Sequence, residues 1–394
     1  MTACAALLSH VSLRGCFLKA IAPDVVVVGP FPPPVHGMST TNAEVYKSLR
    51  ELGARVSVFD TAAPSLDRSL WKRAGRLPRI ARGLWRLAVL PGLKGRALYL
   101  SASGGWGQIY DVPFLLLARW RRMRVFVRHC SFAYLDGRRR LAQALVRSAG
   151  PDAVHVTQSQ GMAQRLKDLY GAGEVVPISN AVLYPPESGG ARRRSAVRRL
   201  GFLSNLSAEK GVFEFLDLMA AAEAADLPVT GMLAGACQDQ DTRDRVTERV
   251  RMLRNVSYAG AVYGTDKEQF LDAIDVLIFP TRYRNETEAK VNHEAMSRGI
   301  PVIAYGRGCI PEVVTAGCGR VIDPQAPFVA QALEQVELWL AEPATFEAAS
   351  RAAAAQFIKT RADSGARWGA LLRQVAGRRD DAGAVVSEDT PPSL

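Results

Sequence analysis

The stretch DVVVVGPFPPPVHGMSTTNAEVYKSLRELGARVSVFD, residues 24–60, decides the fold. Four successive valines ending at Gly29 read as a strand covered on both faces, because a half-exposed strand alternates apolar with polar residues. The proline-rich loop from Pro30 to Gly37 closes it, a helical pattern runs from Ser39 to Gly53, and a second strand follows from Arg55 to Asp60. Such a strand–loop–helix–strand unit builds a parallel sheet. Strand candidates at 97–101, 124–128 and 153–157 continue the alternation. A segment rich in Pro, Gly, Ser and Arg, 184–196, reads as a linker. The alternation then restarts, with strands at 200–204, 229–234, 256–258, 276–279 and 301–305. The expected fold is α/β, with two Rossmann-like doubly wound domains facing across a cleft, over 24–183 and 197–376. Residues 1–23 are expected to form a leader and 377–394 a disordered tail. Ligands of such sheets bind beyond the carboxyl ends of the strands, so the loops there should carry the chemistry.

Charge is unevenly spread. Residues 1–150 hold 23 Lys/Arg against 7 Asp/Glu, and residues 151–394 hold 27 against 31. The first half, at +16, calls for an anionic partner. The six cysteines form no C-x-x-C pair, which argues against a zinc site or a disulfide framework and suits a reducing cytoplasm. No apolar run is long enough to span a membrane, and the opening residues lack a charged signal-peptide start.

The chemistry concentrates in FPTRYRNETEAKVNHEAMSRGIPVIA, residues 279–304. A strand ends at Phe279 and a helix begins near Thr287 to Ala289, which places Glu286 at the helix mouth and Glu294 two turns further on. A carboxylate accepts two hydroxyl hydrogens at once, which suits ribose or hexose diols, and a helix start offers free N–H groups to a diphosphate. Acidic residues at a helix start also simply offset its dipole, and spacing alone leaves both readings open.

Glu286-x7-Glu294 with the following Ala-Met-x-x-Gly-x-Pro-Val-Ile-Ala resembles the donor-site signature of retaining GT-B glycosyltransferases, family 4. Ser207-Ala-Glu-Lys-Gly211, Gly260 after Val256-Ser-Tyr, Asp275-Val-Leu-Ile-Phe-Pro-Thr281, Gly308-Cys-Ile-Pro-Glu312 and Asn180-Ala-Val182 resemble further motifs of that family. The resemblance implies a nucleotide-diphosphate sugar as donor and co-substrate, no cofactor and no metal. It implies that Lys210 contacts the diphosphate, that Glu294 binds the ribose, and that Glu286 with the N–H groups of Thr287, Glu288 and Ala289 holds sugar and phosphate. His129 would orient the transferring sugar, and Gly37 would let backbone approach the donor. His129, Lys210 and Glu286 are the expected catalytic residues. The family's usual arginine is Asn205 here, which leaves the diphosphate short of one cation; Arg282, Arg284 and Lys290 stand near enough in sequence to replace it.

Between Leu70 and Arg96, Arg73, Arg76, Arg79, Arg82 and Arg86 recur every three or four residues beside a stripe of Leu77, Ile80, Leu84 and Leu87. This is the pattern of a basic amphipathic segment on an anionic membrane surface, broken by Pro78. A helix packed on its domain with arginines in solvent gives the same pattern. Nucleic acid is not an expected partner, because no recognition helix or aromatic-interleaved surface accompanies the charge. The expected protein is a cytoplasmic glycosyltransferase, peripheral on the inner face of the cell membrane, acting on a lipid-linked or polysaccharide acceptor. The competing reading is a non-catalytic scaffold on the same fold.

Overall fold

The computed structural model describes residues 23–62, 75–184 and 194–378. Each half is a six-stranded parallel sheet between helices. The first has the order β2-β1-β3-β4-β5-β6: β1 Val25–Gly29, β2 Val56–Asp60, β3 Ala97–Ala102, β4 Arg124–His129, β5 Val154–Thr157 and β6 Glu174–Pro177. The second has the order β12-β11-β10-β7-β8-β9: β7 Arg199–Leu203, β8 Thr230–Ala234, β9 Val256–Tyr258, β10 Val276–Phe279, β11 Val302–Tyr305 and β12 Gly319–Ile322. The expected pair of doubly wound domains is therefore the observed fold.

The reason is local. The four valines of β1 are completely buried, with β2 and β3 on either side in parallel register. The helix after β1, α1 (Gly37–Glu51), buries Val45 and Leu49 beneath it. Helix α2 (Leu77–Val89) buries Ile80, Gly83 and Leu87, and lies against α3 (Gln108–Trp120). Two edge strands, β6 and β12, went unread in the sequence.

The final helix, α4 (Pro343–Ala376), does not stay with the second domain. Phe346 and Ala349 pack in the second core, whereas Leu371, Leu372 and Val375 pack among Val25, Val27 and Tyr99 of the first. Arg124 of β4 donates to the carbonyls of Gln374 and Val375, which ties that crossing in place. The expected leader, most of the 184–196 linker, nearly all of the tail and Arg73 lie outside the described residues.

Candidate active site

Loops at the carboxyl ends of both sheets surround a cleft of about 1370 Å³. After β7 a single 3-10 turn, Ala208–Lys210, is capped by Ser207, whose side chain accepts from the Lys210 amide at 3.3 Å. Gly211 then takes φ +89, and a Cβ there would strike the Pro280 carbonyl. That close approach brings the Lys210 loop against the loop after β10. The Lys210 ammonium forms an ion pair with the Glu286 carboxylate and lies 4.6 Å from the centre of the Tyr283 ring. Gly308, at φ +63, serves the same loop from the other side, because a Cβ there would stand 2.5 Å from the Glu286 and Thr287 carbonyls.

Helix α5 (Lys290–Met296) begins at Ala289. Glu294 on it accepts from the Lys267 ammonium at 2.8 Å, and the Tyr184 hydroxyl faces the same carboxylate. Lys267 comes from another helix, α6 (Gly264–Ala273), 27 residues away in sequence, and no motif announced it. Of the expected donor-site residues, Gly37, Asn205, Lys210, Glu286, Thr287, Glu288, Ala289 and Glu294 all line the cleft. A Cβ at Gly37 would meet no atom of the protein, so its own packing does not require glycine there.

Two of these residues behave differently from expectation. The Glu288 side chain is buried away from solvent: it accepts from Ser179 Oγ at 2.6 Å and from the Asn180 amide, with His293 Nε2 at 3.1 Å. It joins the two domains, which leaves only its backbone for a donor. His129 does not reach the cleft at all. Side chains alternate along β4, so Arg128 and Cys130 line the cleft while His129 points to the opposite face. There its ring is fully buried, 2.8 Å from the Tyr134 hydroxyl and 2.9 Å from His155 Nδ1. Burial and the neighbouring His155 hold its pKa well below the usual histidine value. It is a neutral core residue, and the catalytic role expected of it is withdrawn.

The histidine that does line the cleft is His36, at the start of α1, where it accepts from the Ser39 amide. Burial first, and then the charge of Lys290, lower its pKa. Among the three candidate replacement cations, Arg282 turns to the Tyr305 hydroxyl and lies 4.5 Å over that ring. Neither it nor Arg284 is among the cleft-lining residues, whereas Lys290 is.

Residues 192–356 match the family model for group 1 glycosyl transferases, and that span includes every C-terminal residue just described. The match covers most of the second domain. The glycogen synthases of two Mycobacterium tuberculosis strains are 27% identical to the chain over 165 residues, 41% of this chain and 39% of theirs. The match thus spans well under half the length of those relatives. Sucrose-phosphate synthase of Thermosynechococcus elongatus superposes with a TM-score of 0.68 at 16% identity, covering 90% of this chain and 99% of its own. HepE of Anabaena, solved in complex with UDP and glucose, superposes with a TM-score of 0.62 at 16% identity, covering 88% and 99%. Both likenesses confirm the GT-B fold across the two domains. Within the matched residues, the Lys210–Glu286 and Lys267–Glu294 pairs join three separate loop and helix segments at one mouth.

The basic segment divides. Arg76 lies at the cleft, 4.3 Å over the Tyr110 ring, and Arg79 donates to the Ala62 carbonyl at 2.8 Å with Asp60 at 3.8 Å. The Arg79 side chain stays 48% exposed even so. Arg82 is exposed beside Trp85 and Val89, whereas Arg86, also exposed, lies 5.1 Å over the ring of the buried Phe59. Helix α3 exposes Ile109, Leu116 and Trp120. No helix among the described residues is long and apolar enough to cross a membrane.

Proposed function

We propose that this protein transfers a sugar from a nucleoside-diphosphate sugar to a saccharide or lipid-linked acceptor, with retention at the anomeric carbon and without a metal or cofactor. The observation carrying this reading is the convergence of Lys210, Glu286 and Glu294 on one cleft that the other domain completes with Gly37. Lys210 and Glu286 satisfy each other. A donor diphosphate would take over the lysine and free the carboxylate for sugar hydroxyls, assisted by the backbone from Thr287 to Ala289 and by Asn205 at the rim. Glu294 has one oxygen engaged by Lys267, which leaves acceptor capacity for ribose hydroxyls. As the bond from the anomeric carbon to the diphosphate oxygen breaks, the lysine stabilises the growing charge. The acceptor hydroxyl attacks from the same face and gives its proton to the departing diphosphate.

HepE holds UDP, which favours uridine nucleotides as the first donors to try. Membrane attachment is supported by the excess positive charge of the first half and by the exposed tryptophans on α2 and α3. The decisive experiment screens UDP-, GDP- and ADP-sugars by thermal shift and then measures donor hydrolysis and transfer. Lys210→Ala should lower turnover by about tenfold or more, since its contact strengthens as the bond breaks. Binding without any hydrolysis at excess enzyme would favour the scaffold reading instead. An effect of Lys210→Ala confined to KM would remove its leaving-group role.

A further inference from the structure

Among the described residues three lysines line the cleft, and they are not equivalent. Lys210 and Lys267 each have a carboxylate partner, Glu286 and Glu294. Lys290 has no ion-pair partner among the described residues. Its ammonium crosses the domain junction and donates to Thr40 Oγ1 at 2.7 Å, one turn into α1. The N-terminus of that helix, His36 to Met38, lines the same cleft and adds positive potential. Arg128, buried behind it, donates through Nη2 to Asn180 at 2.7 Å. Its Nη1 lies by the Tyr99 hydroxyl, and neither atom finds a hydrogen-bond partner of good geometry.

A half-buried ammonium facing a helix start and a buried guanidinium is costly unless an anion comes between them. The surroundings bear this out. Burial first and the Arg128 charge second pull the Lys290 pKa down to about 8, against the opposing pull of Glu294 on its own helix, Cys130 after β4 and Glu44 on α1. Opposite this locus, the position expected to carry a second cation is the neutral, exposed Asn205.

The geometry points to Lys290 as the second cation for the donor diphosphate, reaching it from the α5 start and the N-terminal domain instead of from position 205. This rests on the donor reading of the cleft.

The test is calorimetry on the full chain with UDP, GDP, ADP and the three parent nucleosides. Lys290→Gln should weaken the preferred nucleoside diphosphate by about tenfold or more, as expected for a lost charged hydrogen bond, and leave the nucleoside unchanged. Lys290→Arg should retain most of the affinity. Adding Asn205→Arg to Lys290→Gln should restore it, an outcome that a merely structural lysine would not produce. Diphosphate affinity within twofold of wild type in Lys290→Gln, while Lys210→Ala still weakens it, overturns this inference and spares the donor reading. Equal losses for nucleoside and nucleotide overturn it as well. Should Lys290→Gln instead discriminate UDP-glucuronate from UDP-glucose with free UDP unaffected, the cation reads the sugar and not the diphosphate. A wild-type protein that binds no nucleoside diphosphate removes both readings together.

Discussion

Replacing Glu294 with alanine separates what this carboxylate does for binding from what it does for stability. Its side chain is only 11% exposed, and its partner Lys267, 2.8 Å away, is 29% exposed, so the carboxylate is largely buried beneath a lysine that keeps contact with water. Removing it frees a lysine that can turn to solvent but takes an acceptor from the largely buried Tyr184 hydroxyl, and unfolding free energy should fall by about 1–3 kcal/mol. The ligand loses a comparable amount. Hydrogen bonds to a charged group are worth about 1.5–3 kcal/mol, so a ribose deprived of this acceptor should bind roughly 10- to 150-fold more weakly. Because ribose is common to both, nucleoside and nucleoside diphosphate should lose affinity by the same factor. Calorimetry with uridine and UDP, or with whichever base the protein prefers, measures this, and urea unfolding measures stability. Nucleotide affinity within a factor of two of wild type would refute the ribose role. A loss confined to the phosphorylated ligand would refute it too, by placing Glu294 at the diphosphate.

Glu288→Ala strands Ser179 Oγ, the Asn180 amide and His293 at a buried domain junction, and should cost about 3 kcal/mol in urea unfolding; a change under about 0.5 kcal/mol would mean that the junction does not depend on it. Asp111 is buried at the base of the cleft wall, accepting from the Ser103 amide at 2.7 Å, and burial raises its pKa from 3.8 to about 7. The folded state therefore holds a proton that the unfolded chain releases. This contribution to stability is complete below about pH 4 and is lost as pH rises through about 7. Asp111→Asn should flatten the fall in stability between those values, and an unaltered pH profile would exclude the carboxyl as its source. The membrane reading predicts pelleting with anionic vesicles at low salt and release at about 1 M salt. Replacing Arg82 and Arg86 with Gln and Trp85 and Trp120 with Ser should abolish pelleting, and wild-type binding by that variant would rule out this face.

Much of the fold was legible because the decisive signals are short-range. The runs at β1, β10 and β11 are apolar throughout, and β3 and the centre of β4 nearly so, since both faces of each strand are covered, and this can be read without knowing the neighbours. The edge strands β6 and β12 were not legible: Glu174 is exposed and Gly319, Arg320 and Val321 only half-buried, so neither segment carries a continuous or alternating pattern. At the cleft, Lys210, Glu286 and Glu294 declared themselves because their motifs lie within single loops or one helix. The sequence by itself determined two parallel α/β halves, a donor-type loop and a basic first half, all properties of neighbouring residues. Tertiary structure alone decided which strand face each side chain takes, and so turned His129 inward and Arg128 toward the cleft. It also brought Lys267 to Glu294, Lys290 to Thr40 and the end of α4 onto the first sheet. Such pairings join residues from 27 to about 350 positions apart, and no local preference of the chain specifies them; they follow from how buried faces close on one another.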